Sequence, residues 1–148
     1  MQENSARTVL IVEPDEDSRF ALRSALEGEG YTVISTATAA SALSVVDGPP
    51  INLIVTELYL ASGADRCLLQ TIRETPATKR HRVLAYTRHG RAEDRAWAIA
   101  EGANGYVLKK NGEARLLEVA ARLSRPRSKR KRSATRRPKG SVEKGSVE

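Results

Sequence analysis

The sequence predicts an α/β fold, a five-stranded doubly wound parallel sheet covered by five helices. Short runs rich in β-branched residues alternate with helical patterns through the first 123 residues, repeating every 25 residues or so. The first, third and fourth runs are the most continuously apolar, as strands buried on both faces are. Five such units within roughly 120 residues are too few for a closed eight-stranded barrel of about 250, which leaves the open sheet.

The first strand is expected over Thr8 to Val12, followed by a helix lined by Phe20, Leu22, Ala25 and Leu26 and stopped by Gly28 and Gly30. The second runs from Tyr31 to Ser35. Its helix is lined by Ala39, Ala42, Leu43 and Val46 and ended by Gly48-Pro49-Pro50. A third strand, Ile51 to Thr56, precedes a helix on Leu68, Leu69 and Ile72, and a fourth, Arg82 to Tyr86, precedes one on Ala92, Ala96, Ile99 and Ala100. Gly105 to Leu108 is the fifth, with Leu116, Leu117, Ala120 and Leu123 lining the last helix.

Composition removes several classes of function. No apolar run approaches the roughly 18 residues of a membrane span, and Thr8 to Val12 is too short for a secretory signal. A single cysteine, Cys67, forms no internal disulfide, and is read as a small buried hydrophobe. His81 and His89 lack partners at metal-ligand spacing and are expected to be solvated. No nucleophile with its base, phosphate loop or dinucleotide fingerprint is present, so the chain is not expected to be an enzyme. A cytoplasmic protein that avoids membranes is expected.

Open α/β sheets bind ligands at the carboxyl ends of their strands. That rule selects Glu13 to Asp15, Glu57, Thr87 and Lys109. With their flanking segments, Val9-Leu10-Ile11-Val12-Glu13 followed by Arg19, Leu53-Ile54-Val55-Thr56-Glu57-Leu58, Val83-Leu84-Ala85-Tyr86-Thr87 and Gly102-Ala103-Asn104-Gly105-Tyr106-Val107-Leu108-Lys109, they give the chain its likeness. From Thr8 to Leu123 it resembles the receiver domain of bacterial two-component response regulators. The resemblance implies a flavodoxin-like strand order 2-1-3-4-5. It also implies an acidic pair after the first strand that binds Mg²⁺, an aspartate after the third that accepts a phosphoryl group from a histidine kinase, and a Thr/Ser and a Lys that contact the phosphoryl oxygens.

Thr87 and Lys109 match that pattern; other positions depart from it. Glu57 stands at the acceptor position, Pro14 replaces the second acid, Lys110 follows the lysine where proline is usual, and Ala61 replaces a further proline. Glu57 carries its carboxylate about 1.5 Å beyond an aspartate's. Misplacement of about 1 Å can cost on the order of a hundredfold in rate, so phosphorylation is expected to be impaired. Pro14 offers no side-chain oxygen to Mg²⁺. No cofactor is therefore expected, with Mg²⁺ at most weakly held by Glu13, Asp15 and Glu57. Asp15 is read either as such a ligand or as the cap of the first helix. Glu57 either reaches Lys109 and Thr87, imitating a phosphorylated acceptor, or is a solvated carboxylate. Tyr106 falls where the family often places an aromatic switch residue, and equally suits a buried strand. Trp97 is read as an anchor of the fourth-helix to fifth-helix face, through which such domains often associate, or as core.

Charge is distributed unevenly. Residues 1–121 hold 14 Lys and Arg against 16 Asp and Glu, whereas residues 122–148 hold 11 against 2. Arg122, Arg125, Arg127, Lys129, Arg130, Lys131, Arg132, Arg136, Arg137 and Lys139 form a run without acids, expected to be disordered alone and suited to nucleic-acid phosphates. Thr135-Arg136-Arg137-Pro138-Lys139-Gly140 weakly resembles an AT-hook, an element that lies in the minor groove of DNA. The expected organisation is an N-terminal extension 1–7, a receiver 8–123 and a basic tail 124–148. As a stand-alone atypical receiver it would act through a signalling protein, either a kinase or a downstream target. The alternative is a dimerising receiver whose tail binds DNA, which would place it on the nucleoid.

Overall fold

The computed structural model describes residues 7–58 and 68–126. Cys67, Ala61 and the tail cations from Arg127 onward lie outside the described residues. Five strands, β1 (Thr8–Val12), β2 (Thr32–Thr36), β3 (Leu53–Thr56), β4 (Val83–Thr87) and β5 (Gly105–Leu108), pair in parallel in the order β2-β1-β3-β4-β5. Between and after them run α1 (Glu16–Gly28), α2 (Ala39–Val45), α3 (Leu68–Glu74), α4 (Ala92–Ala100) and α5 (Glu113–Leu123). The predicted fold is observed.

Alternation along the strands builds two cores. Val9, Ile11, Leu53, Val55 and Leu84 point to the face covered by Leu22 and Leu26 of α1 and Leu116, Val119 and Ala120 of α5. Leu10, Val12, Ile54, Val83 and Ala85 point to the other, under α2, α3 and α4. A four- or five-residue strand apolar on both faces can exist only with both layers present, which is why β1, β3 and β4 read as unbroken apolar runs.

β1 and β5 match their expected limits; the other strands start later. Tyr31 belongs to the turn that ends α1: its N–H donates to the Leu26 carbonyl, and its hydroxyl lies 3.2 Å from Ser124 Oγ. Ile51 drops out of β3 behind Pro49 and Pro50, while Asn52 clamps the edge of β1 through both its backbone N–H and its side chain, each bonded to Thr8. Thr87 is in register with Leu108, so β4 extends one residue beyond the expected end.

Two helix faces differ from the periodicity. Phe20 is 71% exposed, half a turn away from the buried Leu22 and Leu26. On α4 the expected stripe of Ala92, Ala96, Ile99 and Ala100 faces outward, and the buried residues are Asp94 and Ala98. Alanines occupy both sides of that helix, so size gives no preference. The face is set by Trp97, packed against the core, and by Asp94, whose carboxylate pairs with Arg91 at 3.1 Å. The histidines are half-buried rather than solvated, with His81 Nε2 3.2 Å from the Val46 carbonyl. Arg7 and Ser124, just outside the expected limits 8–123, are buried and bonded to each other at 3.1 Å.

Arg73 ties the end of α3 to the turns before β4 and β5. Its guanidinium donates to the carbonyls of Gly102 at 2.8 Å, Lys79 at 3.0 Å and His81 at 2.5 Å. Burial pushes its pKa below the ordinary arginine value. Gly102 sits at φ +107°, and a Cβ there would lie 2.7 Å from Arg73 Nε. Gly102→Ala is therefore expected to destabilise the domain by about 1–2 kcal/mol from the backbone conformation alone, read as a lowered urea midpoint.

Candidate functional site

Four strand ends converge. Glu13 follows β1 and Glu57 follows β3, and each continues the backbone ladder: Glu13 N–H donates to Thr36 and Glu57 N–H to Val12, both at 3.0 Å. Thr87 closes β4 and Lys109 follows β5. Because these backbones are fixed by sheet pairing, their side chains meet without any loop having to order.

Lys109 Nζ lies 2.7 Å from Glu13 Oε1 and 3.1 Å from Glu57 Oε1. Both carboxylates are buried and the lysine is largely so. Glu57 Oε2 accepts the Leu58 N–H at 2.7 Å and a very short hydrogen bond from the Thr87 hydroxyl. Glu13 Oε2 accepts the Asp15 N–H at 3.0 Å. Burial by itself would lower the Lys109 pKa, but the hydrogen bonds and charges of Glu13, and then of Glu57, outweigh it and hold the ammonium above its ordinary value. Every carboxylate oxygen of the pair is thus engaged by a donor.

The arrangement extends from Thr87 to Tyr106. His89 N–H donates to Thr87 Oγ1 at 3.3 Å, and the His89 carbonyl accepts the Tyr106 hydroxyl at 2.6 Å. The Tyr106 ring is buried among the residues under α4, with the Arg95 guanidinium 5.6 Å from its centroid. Trp97 is half-buried against the same core.

Asp15 stands apart from the carboxylate pair. It is the N-cap of α1, with Oδ2 accepting the Ser18 N–H at 2.8 Å, and that bond lowers its pKa. Lys109 bridges the two glutamates, Asp15 caps the helix, and Pro14 supplies no side-chain oxygen. Among the described residues, no three His, Cys, Asp or Glu side chains group so as to hold a metal. Sequence reasoning left Glu57 either reaching Lys109 and Thr87 or solvated; the structure has it buried and in contact with both. That reasoning missed that Glu13 is the lysine's nearer partner and that the Leu58 N–H joins the site. Alternation held the signal for Glu13, since a carboxylate directly after a strand buried on both faces needs a cation.

A model of the response regulator receiver domain matches residues 9–121. An uncharacterized 14.6 kDa protein from the sodA1 3′ region of Leptolyngbya boryana is 32% identical over 109 residues, 74% of this chain and 83% of that protein. The phosphate regulon transcriptional regulatory protein PhoB of Klebsiella pneumoniae is 27% identical over 123 residues, 80% of this chain; the match spans 54% of PhoB, about half its length. Among solved structures, the receiver domain of the sensor histidine kinase PA1611 from Pseudomonas aeruginosa superimposes with a TM-score of 0.70 at 21% identity, covering 80% of this chain and 97% of that one, and holds a magnesium ion in its active-site cleft. No helix among the described residues is long and apolar enough to cross a membrane.

Removing the lysine leaves two buried carboxylates without a cation. Lys109→Met is expected to lower stability by about 3 kcal/mol at neutral pH, partly recovered by adding Glu57→Gln. A raised lysine pKa stabilises the fold fully below the ordinary value of 10.5, and that contribution fades as pH climbs through the folded value. The stability gap between wild type and Lys109→Met, measured by urea unfolding, should accordingly shrink at strongly alkaline pH.

Proposed function

The chain belongs to the response regulator receiver domain family of two-component signalling, and we propose that it is a receiver held in its signalling arrangement by Glu57 rather than by phosphorylation. Domains of this family take signals from histidine kinases and pass them to downstream targets; they are signalling modules rather than enzymes. The contact of Lys109 Nζ with Glu57 Oε1 at 3.1 Å, on the same carboxylate that takes the Thr87 hydroxyl, carries the reading.

In phosphoryl-transfer chemistry the protein mainly positions groups and neutralises charge on the transferred phosphoryl. Here an ammonium, a hydroxyl and the Leu58 N–H already converge on a side-chain anion. Charge-assisted hydrogen bonds of this kind contribute roughly 1.5–3 kcal/mol each when partly buried. Glu57 supplies a permanent negative charge at the acceptor position. Thr87 is drawn toward it, and the hydrogen bonds through His89 couple that position to Tyr106 on the face of α4 and β5. Output then passes to a protein partner through that face. Mg²⁺ affinity is reduced, because a divalent ion would have to displace Lys109 from Glu13 and Glu57 and would gain no ligand from Pro14.

Two measurements test this reading. Incubated with a small acyl-phosphate donor and Mg²⁺, the wild type should show no mass gain in intact-mass spectrometry, while Pro14→Asp/Glu57→Asp should gain one phosphoryl group. A stable phosphoryl gain in the wild type that disappears in Glu57→Ala would overturn it. In amide NMR spectra, Glu57→Ala should shift the resonances of Leu58, Thr87, His89 and Tyr106 together. Shifts confined to residues 56–58 would mean that Glu57 is a bystander.

A further inference from the structure

Next to the carboxylate pair, and built mostly from other residues, is a cleft of about 130 Å³ between α1 and α5. Ser18, Ala21 and Leu22 of α1, Tyr86 of β4, Lys109 and Glu113 line it. At about 30 Å³ per water it has room for roughly four waters, or for one molecule of similar size. Leu22 and Tyr86 belong to the core on that face of the sheet, so these walls are held by packing.

Packing does not account for the Tyr86 hydroxyl. Only 8% of the residue is exposed, and among the described residues nothing hydrogen-bonds to its phenolic oxygen. A buried phenol ordinarily finds a partner. The other two described tyrosines do: the Tyr31 hydroxyl lies 3.2 Å from Ser124 Oγ, and the Tyr106 hydroxyl donates to the His89 carbonyl. Phenylalanine would fill the same space at position 86 without leaving a polar atom unpaired. Burial, and then the charge of Glu113, raise the Tyr86 pKa, so the hydroxyl keeps its proton and can donate.

The groups around that hydroxyl define what would satisfy it. An ammonium has three N–H donors, and Glu13 and Glu57 take two of those on Lys109, which leaves one. The Tyr86 O–H is a second donor. The carboxylate of Glu113, the exposed first residue of α5, only accepts. Ala21 and Leu22 add apolar surface. An anionic ligand would face Glu113 while Lys109 is already outnumbered by Glu13 and Glu57, and a cationic one would face the Lys109 ammonium. An uncharged group with an acceptor oxygen beside an N–H donor suits both ends. A primary carboxamide on a short alkyl chain has that form.

We infer that this cleft binds a small aliphatic amide, its carbonyl oxygen accepting from Tyr86 and Lys109, its amide nitrogen donating to Glu113, and its alkyl group lying against Ala21 and Leu22. The site depends on where Lys109 is held and not on whether Glu57 signals, so it stands or falls separately from the function proposed above.

The test titrates propionamide into the full chain and follows the amide NMR resonances. Saturable shifts at the lining residues are expected, with a dissociation constant in the millimolar range, as suits so small a ligand. Binding should weaken about fivefold in Tyr86→Phe, the loss of one hydrogen bond. Propionate, propylammonium and 1-propanol, matched in length, should each bind more weakly than the amide. Absence of saturable shifts with propionamide, or unchanged affinity in Tyr86→Phe, would overturn the inference, and so would equal or tighter binding of any of the three analogues. Urea unfolding supplies a second readout. Tyr86→Phe should leave the midpoint unchanged or raise it, because the hydroxyl it removes has no partner within the fold; a lowered midpoint would show that the hydroxyl is already engaged and would overturn the site.

Discussion

One ammonium group holds the carboxyl edge of this sheet together. Among the described residues, Lys109 is the one cation in contact with two buried carboxylates delivered by different strands. One positive charge against two negative ones leaves an excess, met by the N–H groups of Asp15 and Leu58 and the hydroxyl of Thr87. The cluster therefore links the ends of β1, β3, β4 and β5. Removal of any member leaves another buried polar group short of a partner, which gives the edge its rigidity.

Much of this was legible in the sequence, for reasons that differ by residue. Strands buried on both faces announce themselves as unbroken apolar runs, and whatever follows such a run must sit at the sheet edge; Glu13, Glu57 and Lys109 were found that way. The partition of Lys109 between two acids was not legible, because it depends on side-chain reach across three strands. α4 was misread because alanine is compatible with burial and exposure alike, whereas the decisive residues, Asp94 and Trp97, look polar or ambiguous in a periodicity count. Phe20 shows the converse: apolar character marked it for the core, yet its angular position on α1 puts it in water. β2 begins one residue late because the Tyr31 N–H closes the end of α1, and β3 two residues late where the Asn52 side chain takes the Thr8 N–H.

The amino edge of the sheet follows a different logic. There the helices end, and their unsatisfied carbonyls attract cations. Arg7 caps α5 through Ala121, Arg82 does so through Leu123, and Arg73 gathers three carbonyls from two turns. The same residue type that closes these helix ends also makes that edge electropositive. The two edges of the sheet are thus chemically polarised, one by carboxylates folded around a lysine and the other by guanidinium groups folded around carbonyls.

The carboxylate of Glu57 is joined to the backbone by carbon–carbon bonds. An acyl phosphate decays in water and so gives a signal a lifetime; a glutamate has none. On the proposed reading, a domain that carries its anion this way is not reset by hydrolysis, and the strength of its message is governed by how many copies the cell makes and how quickly they are degraded, which moves control from chemistry at the site to synthesis and proteolysis of the chain.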